Sequence, residues 1–150
     1  MKVAIGSDHA GLELKNKVVT FLASLGHEVA DKGTYTPESY DYPDAAEKVA
    51  RAIQSREAER GVLVCGTGIG VSIAANKYKG IRAALCHSVE AAILSREHND
   101  ANVLALSGRG ADHNLAFGIV EAWMKTGFLG GRHGRRVDKM MQFEQESDKP

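Results

Sequence analysis

A cysteine followed by alternating glycines is the chain's most chemically informative feature. Cys65 ends a short apolar run, Val62-Leu63-Val64; Gly66, Gly68 and Gly70 follow, then a helix-like run from Val71 to Lys77. An apolar run so short and flanked by glycine reads as a strand buried on both faces. Strand, glycine loop and helix in that order make an anion-binding shape. The glycines let the backbone turn tightly and approach a ligand, and the unpaired N–H groups of the first helical turn point at it with the helix dipole behind them. A thiol beside those donors has its thiolate favoured by the local positive potential, so Cys65 can act as a base or nucleophile at an oxyanion site. The plainer alternative is a small core residue before an ordinary turn, since free cysteine is among the most buried residue types.

Other side chains could join that chemistry. His98 falls where a helix ends, next to Asn99 and Asp100. A histidine there is either a partner for the helix dipole or a general acid tuned by its neighbours. Arg132, Arg135 and Arg136 lie in a glycine-flanked turn, and with Arg109 and His9 they are candidates for a phosphate site. Arginine binds phosphate bidentately and stays charged; the alternative is a solvated basic face. The loop reads GxGxG after the third strand, so it is neither a dinucleotide fingerprint nor a P-loop. Asp8, His9 and His98 have no metal-ligand spacing, and no metal or cofactor is expected.

The elements that must position these groups alternate. Val3 to Ile5 is a first strand, and a helix follows with Leu14, Val18, Phe21, Leu22 and Leu25 at helical spacing and lysines between them. His27 to Ala30 is a second strand, Asp31 to Pro43 a tyrosine-rich loop, and Asp44 to about Arg56 a second helix. After the glycine loop come a fourth strand, Ile81 to Cys86, and a helix capped by Ser88. A fifth strand, Val103 to Leu106, a helix through Trp123 and a last amphipathic helix from Val137 toward Glu146 complete the chain. Such alternation predicts an α/β fold: a doubly wound, five-stranded parallel sheet of order 2-1-3-4-5 with an extra C-terminal helix. Ligands of such sheets bind beyond the carboxyl ends of the strands where the order reverses, between strands one and three. Asp8, His9 and Cys65, far apart in sequence, are expected to converge there.

With 150 residues, 43% hydrophobic and 25% charged, the chain fits one globular domain, 1–150. A formal net charge of +0 argues against bulk binding to nucleic acid or an anionic membrane surface. The N-terminus lacks a signal-peptide core, and the two cysteines are expected reduced in a cytoplasmic protein.

Several stretches together resemble ribose-5-phosphate isomerase type B over nearly the full length. They are Ser7-Asp8-His9-Ala10-Gly11, Asp41-Tyr42-Pro43-Asp44, Cys65 to Gly70 with Ser72 to Lys77, Gly80 to Ala84, Ser95 to Ala105, and Gly130 to His133. The wider family includes galactose-6-phosphate isomerase subunits and allose-6-phosphate isomerases. The resemblance implies metal-free interconversion of ribose 5-phosphate and ribulose 5-phosphate through an enediolate. It makes Cys65 the base, Thr67 a helper in ring opening or proton movement, and His98 the residue that opens the furanose. Asp8 and Asn99 would contact sugar oxygens; His9, Arg109, Arg132 and Arg136 would bind phosphate, with Arg135 beside Arg136 as a competing cation. The backbone of Gly66, Thr67, Gly68, Ile69 and Gly70 would face the developing oxyanion. The resemblance also implies a homodimer or homotetramer with each site built from two subunits, a role that Met140, Met141 and Phe143 on the final helix suit. A six-carbon sugar-phosphate isomerase and a non-catalytic phosphate-binding module are the rival readings.

Overall fold

Val3, Ala4 and Ile5 are fully buried, as are Val62, Leu63 and Val64 and Val103, Leu104 and Ala105. Strands buried on both faces form the middle of a parallel sheet with helices on each side. The computed structural model describes residues 1–146; residues 147–150, the end of the expected 1–150 domain, lie outside the described residues. The strands are β1 (Lys2–Ser7), β2 (Glu28–Asp31), β3 (Arg60–Cys65), β4 (Ala83–Leu85) and β5 (Val103–Ser107). The helices are α1 (Leu12–Ser24), α2 (Tyr42–Gln54), α3 (Ile69–Ala75), α4 (Val89–Asn99), α5 (His113–Lys125) and α6 (Arg132–Glu146).

All pairings are parallel and the order is β2-β1-β3-β5-β4, which corrects the expected 2-1-3-4-5 in its last two places. Burial explains the exchange. β5 is buried along Val103 to Leu106, whereas β4 is only three residues long and half-buried, suited to an edge. Asn76 seals that edge, its side-chain amide exchanging hydrogen bonds with the N–H and C=O of Ala83 at 2.8 and 2.9 Å. The reversal between β1 and β3 stands as expected.

Alternation along the strands divides the core in two. Val3, Ile5, Val62, Val64, Leu104 and Leu106 meet α1, α4 and α5. Ala4, Leu63, Cys65, Val103 and Ala105 meet α2 and α3. Cys65 and Cys86 are free thiols in different halves of this core. Ser88 caps α4 as expected, accepting from the Ala91 N–H at 3.0 Å.

One lysine of α1 departs from the expected polar face. Lys15 is fully buried, and its Nζ lies 2.5 Å from Asp31 Oδ2 at the end of β2. Removing one partner of a buried pair leaves the other charge uncompensated. Lys15→Met is therefore expected to destabilise the fold by about 3 kcal/mol, read as a lower urea midpoint at unchanged slope. A midpoint equal to that of the parent chain would sink this expectation.

Candidate active site

The carboxyl ends of β1, β3 and β5 press together because the turns that leave them are made of small residues. A Cβ on Gly11 would stand 2.6 Å from the Val64 carbonyl oxygen, and one on Gly108 would stand 2.9 Å from Gly11 Cα. The Asp8 N–H donates to Val64 O at 3.2 Å, and the Gly108 and Arg109 N–H groups donate to Cys65 O and Gly66 O. Asp8, Cys65 and Arg109 are thereby drawn to one end of the sheet, with His9 next to Asp8.

Cys65 ends β3 with 4% of its surface exposed, and the Gly68 N–H donates to its Sγ at 3.1 Å. Gly68 can do this because it adopts φ +75°, a conformation that glycine takes without strain. Helix α3 starts at Ile69, two residues earlier than the spacing predicts, and the Ile69 N–H donates to Thr67 Oγ1 at 3.2 Å. Two of the N–H groups expected to face a ligand are thus already engaged by Cys65 and Thr67. Asp8 is nearly buried, and its Oδ1 accepts from the Gly11 N–H at 2.9 Å, which leaves its other oxygen for a ligand. The Arg109 guanidinium extends over Gly66, with Nη2 3.2 Å from where a Cβ would stand. Tyr42 covers Gly70 in the same way, at 2.7 Å. Composition flagged the tyrosines only as part of a long loop; the contact with Gly70 is a tertiary fact.

His98, Asn99, Arg132 and Arg136 form a second cluster elsewhere. α4 begins after the carboxyl end of β4 and runs back for eleven residues, about 16 Å. Its last turn, carrying His98 and Asn99, therefore sits at the amino ends of the strands. The Arg82 Nε, just before β4, donates to Asn99 O and Asp100 O. Arg96 is buried and holds Asp100 Oδ1 and Ala101 O, and Asp100 closes the helix at φ +46°. Arg96 and Arg60 both lie over the same wholly buried indole, Trp123, at 5.8 and 5.2 Å, and both donate to Thr126 O. Burial, with the Arg96 charge behind it, pushes the Arg60 guanidinium down to about 10.

The basic segment Gly130 to Arg136 is not the expected turn: α6 already starts at Arg132. Gly130 and Gly131 take positive φ, and the N–H groups of His133, Gly134 and Arg135 donate back to their carbonyls. The His133 ring then stacks on His98, with centroids 4.1 Å apart and planes 10° from parallel. Desolvation, followed by the charges of His98, Arg132 and Arg136, holds the His133 imidazole below its usual range. Arg132, Arg135 and Arg136 are all exposed on the first turns of α6, and the charges of Arg132 and Arg136 reach the His133 ring that lies against His98. Within one chain, then, Asp8, His9, Cys65, Thr67 and Arg109 gather at one end of the sheet, and His98, Asn99, Arg132 and Arg136 at the other.

Residues 3–140 match the family model described as Ribose/Galactose Isomerase. The chain is 49% identical over 144 residues to ribose-5-phosphate isomerase B of Escherichia coli, covering 96% of this chain and 97% of that one. Among solved structures, ribose-5-phosphate isomerase B of Clostridium thermocellum superposes with a TM-score of 0.97 at 52% identity, over 99% of this chain and all of that one. The Thermotoga maritima enzyme gives 0.92 at 55% identity, over 94% and 97%.

Proposed function

Because the chain belongs to the Ribose/Galactose Isomerase family, we propose that it is an aldose–ketose isomerase interconverting ribose 5-phosphate and ribulose 5-phosphate. The observation that carries this reading is a nearly buried thiol at the switch point of a doubly wound sheet, with a backbone N–H aimed at its sulfur. Cys65 as thiolate takes the proton from C2 of the open-chain aldose. The resulting enediolate takes the same proton back at C1, while the hydroxyl proton moves from O2 to O1 with the help of Thr67. Asp8, through its uncommitted oxygen, holds a sugar hydroxyl.

The separation of the two clusters supports a site shared between copies of the chain. Ile69 and Ile73 on α3, and Met140 and Phe143 on α6, are exposed apolar side chains in a position to be covered by a second copy. In the resulting homodimer, His98 and Asn99 of one subunit open the furanose ring and contact the sugar bound at Cys65 of the other. Arg132 and Arg136 then meet the phosphate from across the interface, opposite His9 and Arg109. Phosphate binding supplies remote energy that orients the reacting carbons.

The decisive assay is isomerisation of ribose 5-phosphate by the purified protein in excess EDTA. Turnover that survives the chelator is the expected result. Turnover only of allose 6-phosphate or galactose 6-phosphate moves the assignment to a six-carbon substrate, and none on any of the three sinks the isomerase reading. Arg132→Ala is expected to raise KM for ribose 5-phosphate by about tenfold or more, with a smaller fall in kcat, since charge-assisted bonds to phosphate are worth about 1.5–3 kcal/mol. An unchanged KM would remove Arg132 from the phosphate site.

A further inference from the structure

The segment from residue 32 to residue 41, between β2 and α2, is fastened at both ends. At its start, the Asp31 carboxylate takes the buried Lys15 ammonium on Oδ2 and the Gly33 N–H on Oδ1. Tyr35 closes over this pair, its hydroxyl donating to Asp31 O at 2.8 Å and its ring lying 5.3 Å from Lys15 Nζ. At its end, Lys48 of α2 lies over the Tyr40 ring, also at 5.3 Å. Between these fastenings the Tyr40 backbone reaches His9: the Tyr40 N–H donates to His9 Nδ1 at 3.1 Å.

We propose that this loop sets the tautomer of His9, so that Nδ1 is the acceptor and Nε2–H is the donor presented to the phosphate of the substrate. The inference rests on the isomerase reading for the identity of the ligand, but not for the tautomer. A neutral imidazole has one N–H and one lone pair. The proton on Nδ1 would bring two N–H groups face to face at 3.1 Å, with only the longer 3.4 Å contact to Tyr40 O in exchange. The proton on Nε2 keeps the shorter bond. His9 is exposed, and Nε2 has no partner among the described residues, so this donor is available to a ligand. His9 thereby joins the arginines as a directional donor whose orientation is decided thirty-one residues away.

Nitrogen-15 NMR of the full chain labelled at histidine tests the tautomer, with the His9 signals identified by their loss in His9→Gln. A protonated Nε2 and an unprotonated Nδ1 on the neutral ring are expected; a protonated Nδ1, or signals averaged between the two, overturns the proposal. Function is read from two substitutions that mimic the two ring nitrogens. The amide nitrogen of Gln reaches the position of Nε2, and that of Asn only the position of Nδ1. His9→Asn is expected to raise KM for ribose 5-phosphate by about tenfold, the scale of one lost bond to an anion, and His9→Gln to recover most of that loss. An equal rise in both overturns the donor role. If no sugar phosphate is turned over, the same comparison is made on the Kd for inorganic phosphate, so failure of the isomerase reading leaves this test standing.

Discussion

Cys65→Ala is expected to lower kcat for ribose 5-phosphate by about a thousandfold while KM stays within about threefold, the span typical for loss of a positioned general base. The two constants separate because they draw on different atoms. Substrate affinity is assigned to the arginines and His9, which the substitution leaves in place. Proton transfer between C1 and C2 is assigned to the sulfur alone. Only one hydrogen bond, from the Gly68 N–H, loses its acceptor, and the methyl group of alanine fits within the same cluster of Leu63, Val71 and Ala75. Stability is therefore expected to fall by only about 1 kcal/mol, the scale of a single hydrogen bond. A kcat within tenfold of the parent chain, in protein that unfolds at the parent midpoint, would remove Cys65 from the chemistry and return it to the plainer role of a core residue.

Mixing two inactive variants is expected to restore activity. Cys65→Ala spoils the cluster at the carboxyl ends of the strands, and His98→Ala the cluster at the amino ends. In a two-subunit site, a mixed dimer contains one site with both defects and one site with neither. Random exchange of subunits makes half of the dimers mixed, so the mixture recovers about a quarter of the parent activity. The separation of the two clusters makes this outcome specific. Within a single chain, α4 alone puts about 13 Å between its first residue, Val89, and His98, and a site confined to one subunit would leave the mixture as inactive as its parts. A mixture with no gain, under conditions where exchange is verified by native mass spectrometry of a tagged copy, would overturn the shared site.

The sequence carried the architecture well where a pattern is local. Strand and helix types follow from apolar runs, from the spacing of Leu14, Val18 and Leu22, and from punctuation by glycine; Ser88 was legible as a cap for the same reason. The order of β4 and β5 was not legible, because it depends on which strand best fills a two-sided interior. Ala83 to Leu85, short and half-buried, yields that place to Val103 to Leu106. The start of α6 was missed by five residues because Gly130 and Gly131 read as a turn continuing through the arginines. In the structure they end the turn and their carbonyls begin the helix.

The candidate site divides along the same line. By itself the sequence marked candidate residues by type and, through the switch-point rule, placed Asp8, His9 and Cys65 at one end of the sheet: parallel topology alone brings the ends of β1 and β3 together. Only the tertiary structure decided that Gly68 aims its N–H at the thiol, that Tyr40 holds one nitrogen of His9, and that Lys15 is buried against Asp31. It also decided that His98 lies against His133, at the far end of the sheet from Cys65. Those facts depend on distances between segments far apart in the chain, and residue type and spacing constrain a segment only against its own neighbours.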